Sequence, residues 1–202
     1  MLYAIKIFDI ENSGPIRDEY RDAHLDYISK TEQQTMFAGP ILTENLLTEL
    51  GSHRLINLPN RAAVEQHIAD EPYVIGGAQH GSEVHRWSPS VPYTWRDCPR
   101  KKGNVQYLIH AIDKPDKGSL REELSSEHKA YQKSVENLYV TRGRLLTDDG
   151  QHQIGSLMII DVANLTMARE FWENEPFVKG DLFNRVEFYG WRFGRVFDKF
   201  KL

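Results

Sequence analysis

The chain has 202 residues, 40% of them hydrophobic, with a formal net charge of −4. That length suits one large or two small domains with a real core, and the acidic balance gives no electrostatic case for nucleic acid as a partner. A single cysteine, Cys98, rules out an intramolecular disulfide and fits a reducing compartment. The opening MLYAIKIFDI lacks the basic start and long apolar region of a signal peptide, and no apolar run is long enough to span a bilayer. A cytoplasmic location is therefore expected.

The elements read as follows. Leu2–Phe8 is rich in β-formers and predicts a first strand. A helix begins near Ser13-Gly14-Pro15, with the proline suited to the opening turn. On it Ile16, Tyr20, His24 and Ile28 step by four, with Tyr27 flanking, which predicts a core-facing stripe containing a histidine. Strands follow at Thr35–Leu42 and Ser52–Leu58, then a helix over 61–70 capped by Asn60. Pro72 pushes Glu71 into an extended conformation after that helix. A last strand fits Ser82–Trp87. Pro89, Pro92 and Pro99 mark a linker, and its basic run Arg96–Lys102 reads as a solvated connector.

The same series then recurs. Val105–Ile112 predicts a strand, and Ser119 with Glu122 predicts a capping box opening a helix. Leu120, Leu124, His128 and Tyr131 repeat the stripe. Strands fit Leu138–Leu146 and Ser156–Val162, a helix capped by Asn164 covers 165–174, Glu175-Pro176 follows, and Arg185–Trp191 closes the set. A shift of 104 residues places His24 on His128, Glu71 on Glu175 and Trp87 on Trp191 without a gap. Such self-similarity points to an internal duplication.

Each copy has the order βαββαβ, so the expected class is α+β, with two ferredoxin-like repeats at 1–88 and 105–202 joined by a linker at 89–104. Two helices cover only one face of each four-stranded sheet. The other faces must be buried, and packing them on each other would make an intramolecular dimeric α/β barrel.

A histidine on an apolar stripe is by itself more often a core residue bonded to a backbone carbonyl. Its recurrence at the same place in both copies favours a role, since burying it unpaired would cost roughly 1–3 kcal/mol. Glu71 and Glu175 are the obvious partners. A His–carboxylate pair orients the imidazole and moves protons near neutral pH without a cofactor.

In this order and spacing, AHLDYI and EHKAYQ, FAGPIL and TRGRLL, the Gly-Ser pairs at 51–52 and 155–156, and EPYVIGG and EPFVKGD resemble the YCII (YciI-like) family, present twice. The resemblance implies a ferredoxin-like fold assembled as a dimeric α/β barrel. It implies a site centred on His24 and His128 with the carboxylates Glu71 and Glu175, which stand where the family's motif usually has aspartate. It also implies ligand-binding serines at Ser52 and Ser156, and cofactor-free chemistry such as dehydrochlorination of a chlorinated hydroxyhydroquinone or muconolactone isomerisation.

The expected function is thus a cofactor-independent lyase or isomerase acting by acid/base chemistry on a small aromatic or enolic metabolite. His24, His128, Glu71 and Glu175 would be catalytic. Ser52, Ser156, Tyr27, Tyr131, Lys6 and His110 would bind substrate, with Tyr73, Trp87 and Trp191 as further apolar lining. A cofactor-free oxygenase and a non-catalytic ligand-binding protein are the alternatives. No metal is expected, because the eight histidines show no HxH or HExxH spacing. No cofactor, nucleic-acid or membrane partner is expected. The pseudo-dimer leaves room for a further homodimer.

Overall fold

The computed structural model describes residues 1–198. The first half contains β1 (Leu2–Asp9), α1 (Gly14–Glu19), α2 (Arg21–Lys30), β2 (Thr35–Leu42), β3 (Glu49–Asn57), α3 (Arg61–Ala69), α4 (Pro72–Ile75) and β4 (Gln79–Pro89). The second contains β5 (Val105–Asp113), α5 (Leu120–Glu123), α6 (Ser125–Ser134), β6 (Tyr139–Leu146), β7 (Gln153–Val162), α7 (Leu165–Glu173), α8 (Pro176–Lys179) and β8 (Phe183–Trp191). All eight strands close into one antiparallel barrel in the order β1-β3-β2-β8-β5-β7-β6-β4. The fold is thus the ferredoxin-like dimeric α/β barrel, made within a single chain.

Strand alternation sets two environments. Tyr3, Ile5 and Ile7 of β1 pack outward with Ile56 and Val64, beneath α3. Ala4 packs with Leu55, Leu108, Leu157 and Ile159 in the cluster between the halves. The halves meet at two seams, where β2 pairs with β8 at Ile41–Trp191 and β4 pairs with β6 from Arg86–Leu146 to Pro89–Gly143. Glycine is required at both seams. A Cβ on Gly39 would meet the backbone oxygen of Arg192 at 1.9 Å, and one on Gly143 would meet the oxygen of Ser88 at 2.4 Å.

Four local expectations change. The first helix of each half is broken, at Tyr20 and at Leu124, into a short and a longer piece. Ser119 adopts helical dihedrals and makes no side-chain cap, so the capping box does not form. Strand β4 runs on to Pro89, which sits in the β4–β6 seam rather than in a linker. The following segment is not simply solvated either. Trp95 and Cys98 are buried in the core, and the Trp95 backbone N–H donates to the Met36 carbonyl at 2.8 Å. Burial in this core stabilises a large apolar side chain relative to solvent, so the connector packs into it.

Candidate functional site

Helix α2 carries His24 to the rim of a cavity of about 270 Å³ between the helix and its own sheet. Only Ile28 of the expected stripe is fully buried, and of the other three only His24 lines this cavity. Glu71 closes the back of the site. With φ −68° and ψ 120° it is extended, as Pro72 demands, and it serves as the N-cap of α4, accepting the Tyr73 N–H. Placed so, its buried Oε1 lies 2.6 Å from His24 Nδ1. The motif read as a helix stop is therefore also a helix start, and this holds Glu71 in place.

The tautomer follows from the donors present. The guanidinium of Arg54 on β3 pairs with Glu71 Oε2, so the carboxylate is ionised and can only accept. His24 must donate through Nδ1, which leaves the Nε2 lone pair free. The His24 ring stacks on Tyr73 with centroids 4.1 Å apart, and the Arg17 guanidinium lies 4.4 Å over the other face of Tyr73. Arg17 is itself held by Asp9 at 2.9 Å and Glu49 at 2.8 Å. Burial, then the guanidiniums of Arg54, Arg17 and Arg21, push His24 from its usual 6.5 down to about 3.

Arg54 has a second partner, donating to His67 Nε2 at 2.9 Å. His67 Nδ1 then carries the proton and donates to the Tyr27 hydroxyl at 2.7 Å, and that hydroxyl donates to the His67 carbonyl at 2.7 Å. Burial, then Arg54, lowers His67 to about 3 as well. Tyr27 thus ties α2 to α3, and its hydroxyl is spent there rather than on the cavity.

The second half repeats the centre with three substitutions around it, at the counterparts of Arg54, His67 and Tyr73. His128 Nδ1 bonds Glu175 Oε1, whose other oxygen accepts the Phe177 N–H at 2.9 Å. His128 stacks on Phe177 at 4.1 Å, with Arg121 at 4.9 Å over that ring and bidentate to Asp113. Ser156 accepts from Arg121 at 3.2 Å. Met158 stands where Arg54 does, and Phe171 where His67 does. Among the described residues, no guanidinium pairs with Glu175. Tyr131 keeps only the backbone half of its counterpart's role, donating to the Phe171 carbonyl at 2.6 Å.

The other expected residues separate. Ser52 lines the first cavity and Ser156 the second, beside His24 and His128 respectively. Tyr73 also lines the first. Tyr27 and Tyr131 do not line them, and Trp87 and Trp191 are buried in the barrel core. Lys6 and His110 lie on the barrel side of the sheet, away from both histidine cavities. Sequence reasoning passed over Arg17, Arg54, Arg121 and His67. The signal for two was available, since Arg17 and Arg121 occupy equivalent places, each eight residues after an aspartate. The first cavity is lined by five arginines against one glutamate, Glu49. The second, of about 360 Å³, has Arg121, Lys129, Arg142 and Arg144 and no lining carboxylate among the described residues. Neither balance was visible in a chain whose net charge is negative.

A closed barrel of two ferredoxin-like halves, each pairing a histidine of its first long helix with the glutamate that caps its last short helix, places the chain in the dimeric α/β-barrel fold class. Residues 105–192 match the YCII-related domain. Among solved structures, chlorite dismutase from Candidatus Nitrospira defluvii, in complex with imidazole, aligns over 96% of this chain and 91% of its own with a TM-score of 0.65 at 11% identity. A haem-binding protein from Thermus thermophilus aligns over 94% of this chain and 90% of its own with a TM-score of 0.58 at 10% identity. Likeness at that identity shows the shared fold. The 5-chloro-2-hydroxyhydroquinone dehydrochlorinase from Burkholderia phenoliruptrix AC1100, in complex with 2,5-dihydroxybenzoquinone, is 26% identical over 45% of this chain and 96% of its own, with a TM-score of 0.42. Solved proteins similar to this chain thus include enzymes that process small molecules. No curated protein matches the chain in sequence. No helix among the described residues is long and apolar enough to cross a membrane.

Proposed function

We propose that the protein is a cofactor-independent lyase or isomerase that moves protons on a small aromatic or enolic anion. The observation that carries this reading is the His24–Glu71 pair at 2.6 Å on the rim of a cationic cavity, repeated as His128–Glu175. Nε2 of the histidine takes an acidic O–H or C–H proton from the substrate. The electron pair left behind moves into the conjugated system, and either a leaving group departs with its electrons or the proton returns at another carbon. The imidazolium formed is compensated by its glutamate, and the developing oxyanion by the arginines at the cavity.

The arginines also bear on basicity. Three of them hold His24 low, so a bound anion that offsets their charge raises its proton affinity when the substrate is in place. This makes an acidic group, phenolate or carboxylate, part of the substrate class. Glu175 lacks the Arg54-type counter-charge, so the two centres differ in the charge placed behind their carboxylates. The YCII resemblance makes hydroxylated and chlorinated hydroquinones the first substrates to assay. With a turned-over substrate, His24→Ala with His128→Ala should lower kcat by about 10²-fold or more while the far-ultraviolet circular dichroism stays native. Wild-type turnover in the folded double variant sinks the reading.

A further inference from the structure

The barrel interior holds a polar cluster that the proton chemistry does not use. Lys6 of β1, His53 of β3, Glu83 and His85 of β4, His110 of β5 and Glu187 of β8 meet on the side of the sheet opposite the two cavities. Register explains the meeting. Lys6 lies directly across from His53 and from Glu83, and His110 directly across from Glu187, so these side chains share the inner face. Residues 83 and 85 are two apart on a strand and also point the same way.

Glu83, His85 and His110 are arranged as ligands. Glu83 Oε1 lies 2.8 Å from His85 Nε2 and 3.9 Å from His110 Nε2, and the three donor atoms fall within 4.8 Å of one another. Ligand atoms at about 2.0–2.1 Å around a tetrahedral ion stand a little over 3 Å apart, so small side-chain movements would seat one. The other nitrogen of His110, Nδ1, lies 3.2 Å from Glu187 Oε2. The two make no hydrogen bond as they stand, and a small turn of the ring would give the carboxylate support that metal-bound imidazoles require. Lys6 Nζ takes the remaining oxygen of Glu83, at 3.0 Å, and also pairs with Glu187. It therefore fixes both carboxylates while leaving Oε1 turned towards the histidines. Arg185 reaches Oε1 from outside, but it is half exposed and can withdraw into solvent.

A second observation points to an occupant. His53 is buried beside Lys6 in the same layer, and neither ring nitrogen has a hydrogen-bond partner. Burying both without partners is costly, so this layer of the barrel is short of a polar partner. His85 and Glu83 are each about 20% exposed, which gives an ion a path from the barrel mouth. The set occurs once in the chain. At the equivalent places the other half has Tyr189 for His85 and Lys6 for His110, so the ligands come from both halves and the site depends on their being different.

We infer that Glu83, His85 and His110 form a binding site for a divalent transition-metal ion of the zinc class, with an open fourth position and Glu187 as the supporting carboxylate. Two imidazoles and one carboxylate suit such an ion better than calcium or magnesium, which prefer all-oxygen shells. The site lies across the sheet from His24 and His128 and does not depend on their proposed role.

The test is metal titration of the full chain after chelator treatment and dialysis, with Zn²⁺ by calorimetry and Co²⁺ by visible spectroscopy. The His24→Ala, His128→Ala double variant serves as background, so that those imidazoles cannot contribute. One equivalent should bind, with the ligand-field bands of a four-coordinate Co²⁺ site. In that background His110→Gln and His85→Gln should each weaken binding by about 100-fold, and Glu187→Gln by about 10–100-fold. Should either histidine variant fail to fold, the Co²⁺ spectrum of the background protein with and without Glu187→Gln decides instead. No binding, no four-coordinate spectrum, or affinity unchanged in the folded variants overturns the inference.

Discussion

Arg54→Met puts into the first half the residue that the second half carries at Met158. It nearly preserves volume and removes one charge from a buried pair. Arg54 and Glu71 are both buried, and Glu71 keeps His24 Nδ1 and the Tyr73 N–H as its other donors. Breaking a buried ion pair from one side costs about 3–5 kcal/mol. His67 Nε2 also loses its donor, which adds up to about 1–3 kcal/mol where water cannot replace it. The protein can recover part of this by drawing a proton onto His24, because burial and then Arg54 are the two largest causes of its low pKa. At pH 7 only a rise above 7 returns energy, about 1.4 kcal/mol for each unit beyond it. We therefore expect a net loss of about 3–5 kcal/mol in guanidinium unfolding at pH 7, together with a clear rise of the His24 titration by NMR from about 3. Adding Glu71→Gln should restore a large part of the stability, since it removes the stranded charge, and the double-mutant cycle measures that coupling. A loss below about 1 kcal/mol with an unmoved His24 titration would refute the charge accounting of this site.

The acid limb of stability should follow the two histidines of the same network. His24 and His67 sit at about 3 in the fold against 6.5 unfolded, so their contribution is complete above pH 6.5 and is lost as pH falls towards 3. At pH 4–5 these two histidines should contribute about 2.7 kcal/mol per pH unit for two protons, with buried His53, also lowered to about 3, adding a third, and denaturant midpoints that stay flat from pH 7 to 4.5 would contradict it. Tyr27→Phe should cost about 1–3 kcal/mol and Tyr131→Phe about 1 kcal/mol, because only Tyr27 also accepts from a histidine; equal costs in thermal unfolding would argue against the tautomer assigned to His67. Trp95→Ala should cost about 3–5 kcal/mol if the connector is part of the core, and a change within about 0.5 kcal/mol, what a surface substitution gives, would return it to a solvated linker.

The strands, the long helices and the barrel were legible because each depends on patterns that a chain displays locally. A run of β-formers marked the first strand of each half, and the four-residue step marked α2 and α6. The uncovered sheet face made closure of the two halves on each other the economical outcome. The His–Glu pairing was legible because a repeat turns two weak signals into one at a fixed offset. The longer carboxylate did not prevent contact, since the one-turn helix after Pro72 or Pro176 places it within reach. Arg54 and His67 were hidden for a physical reason. A buried polar contact adds no period to a strand, and these two residues lie thirteen apart on different elements. The cluster of Glu83, His85 and His110 was harder still, because the linear rules for metal spacing assume that one element supplies the main pair of histidines.

The same comparison bears on why the chain would keep two copies. Two identical halves would bring two Lys6-type or two His110-type residues to the barrel's pseudo-symmetric positions, and would put the same Arg54-type support behind both glutamates. In this chain the halves have parted in both places. One glutamate is held by a guanidinium and the other is not, and one inward position carries a cation while its equivalent carries an imidazole. Each exchange takes its surroundings with it. Arg54 and His67 are replaced together, by Met158 and Phe171, a polar network for an apolar one of comparable bulk. Paired replacement of that kind is what buried electrostatics demands, because either change alone would strand a charge or a ring nitrogen in the core. Differentiation of the two centres therefore follows from fusing the barrel into one polypeptide, which frees each half from having to satisfy both.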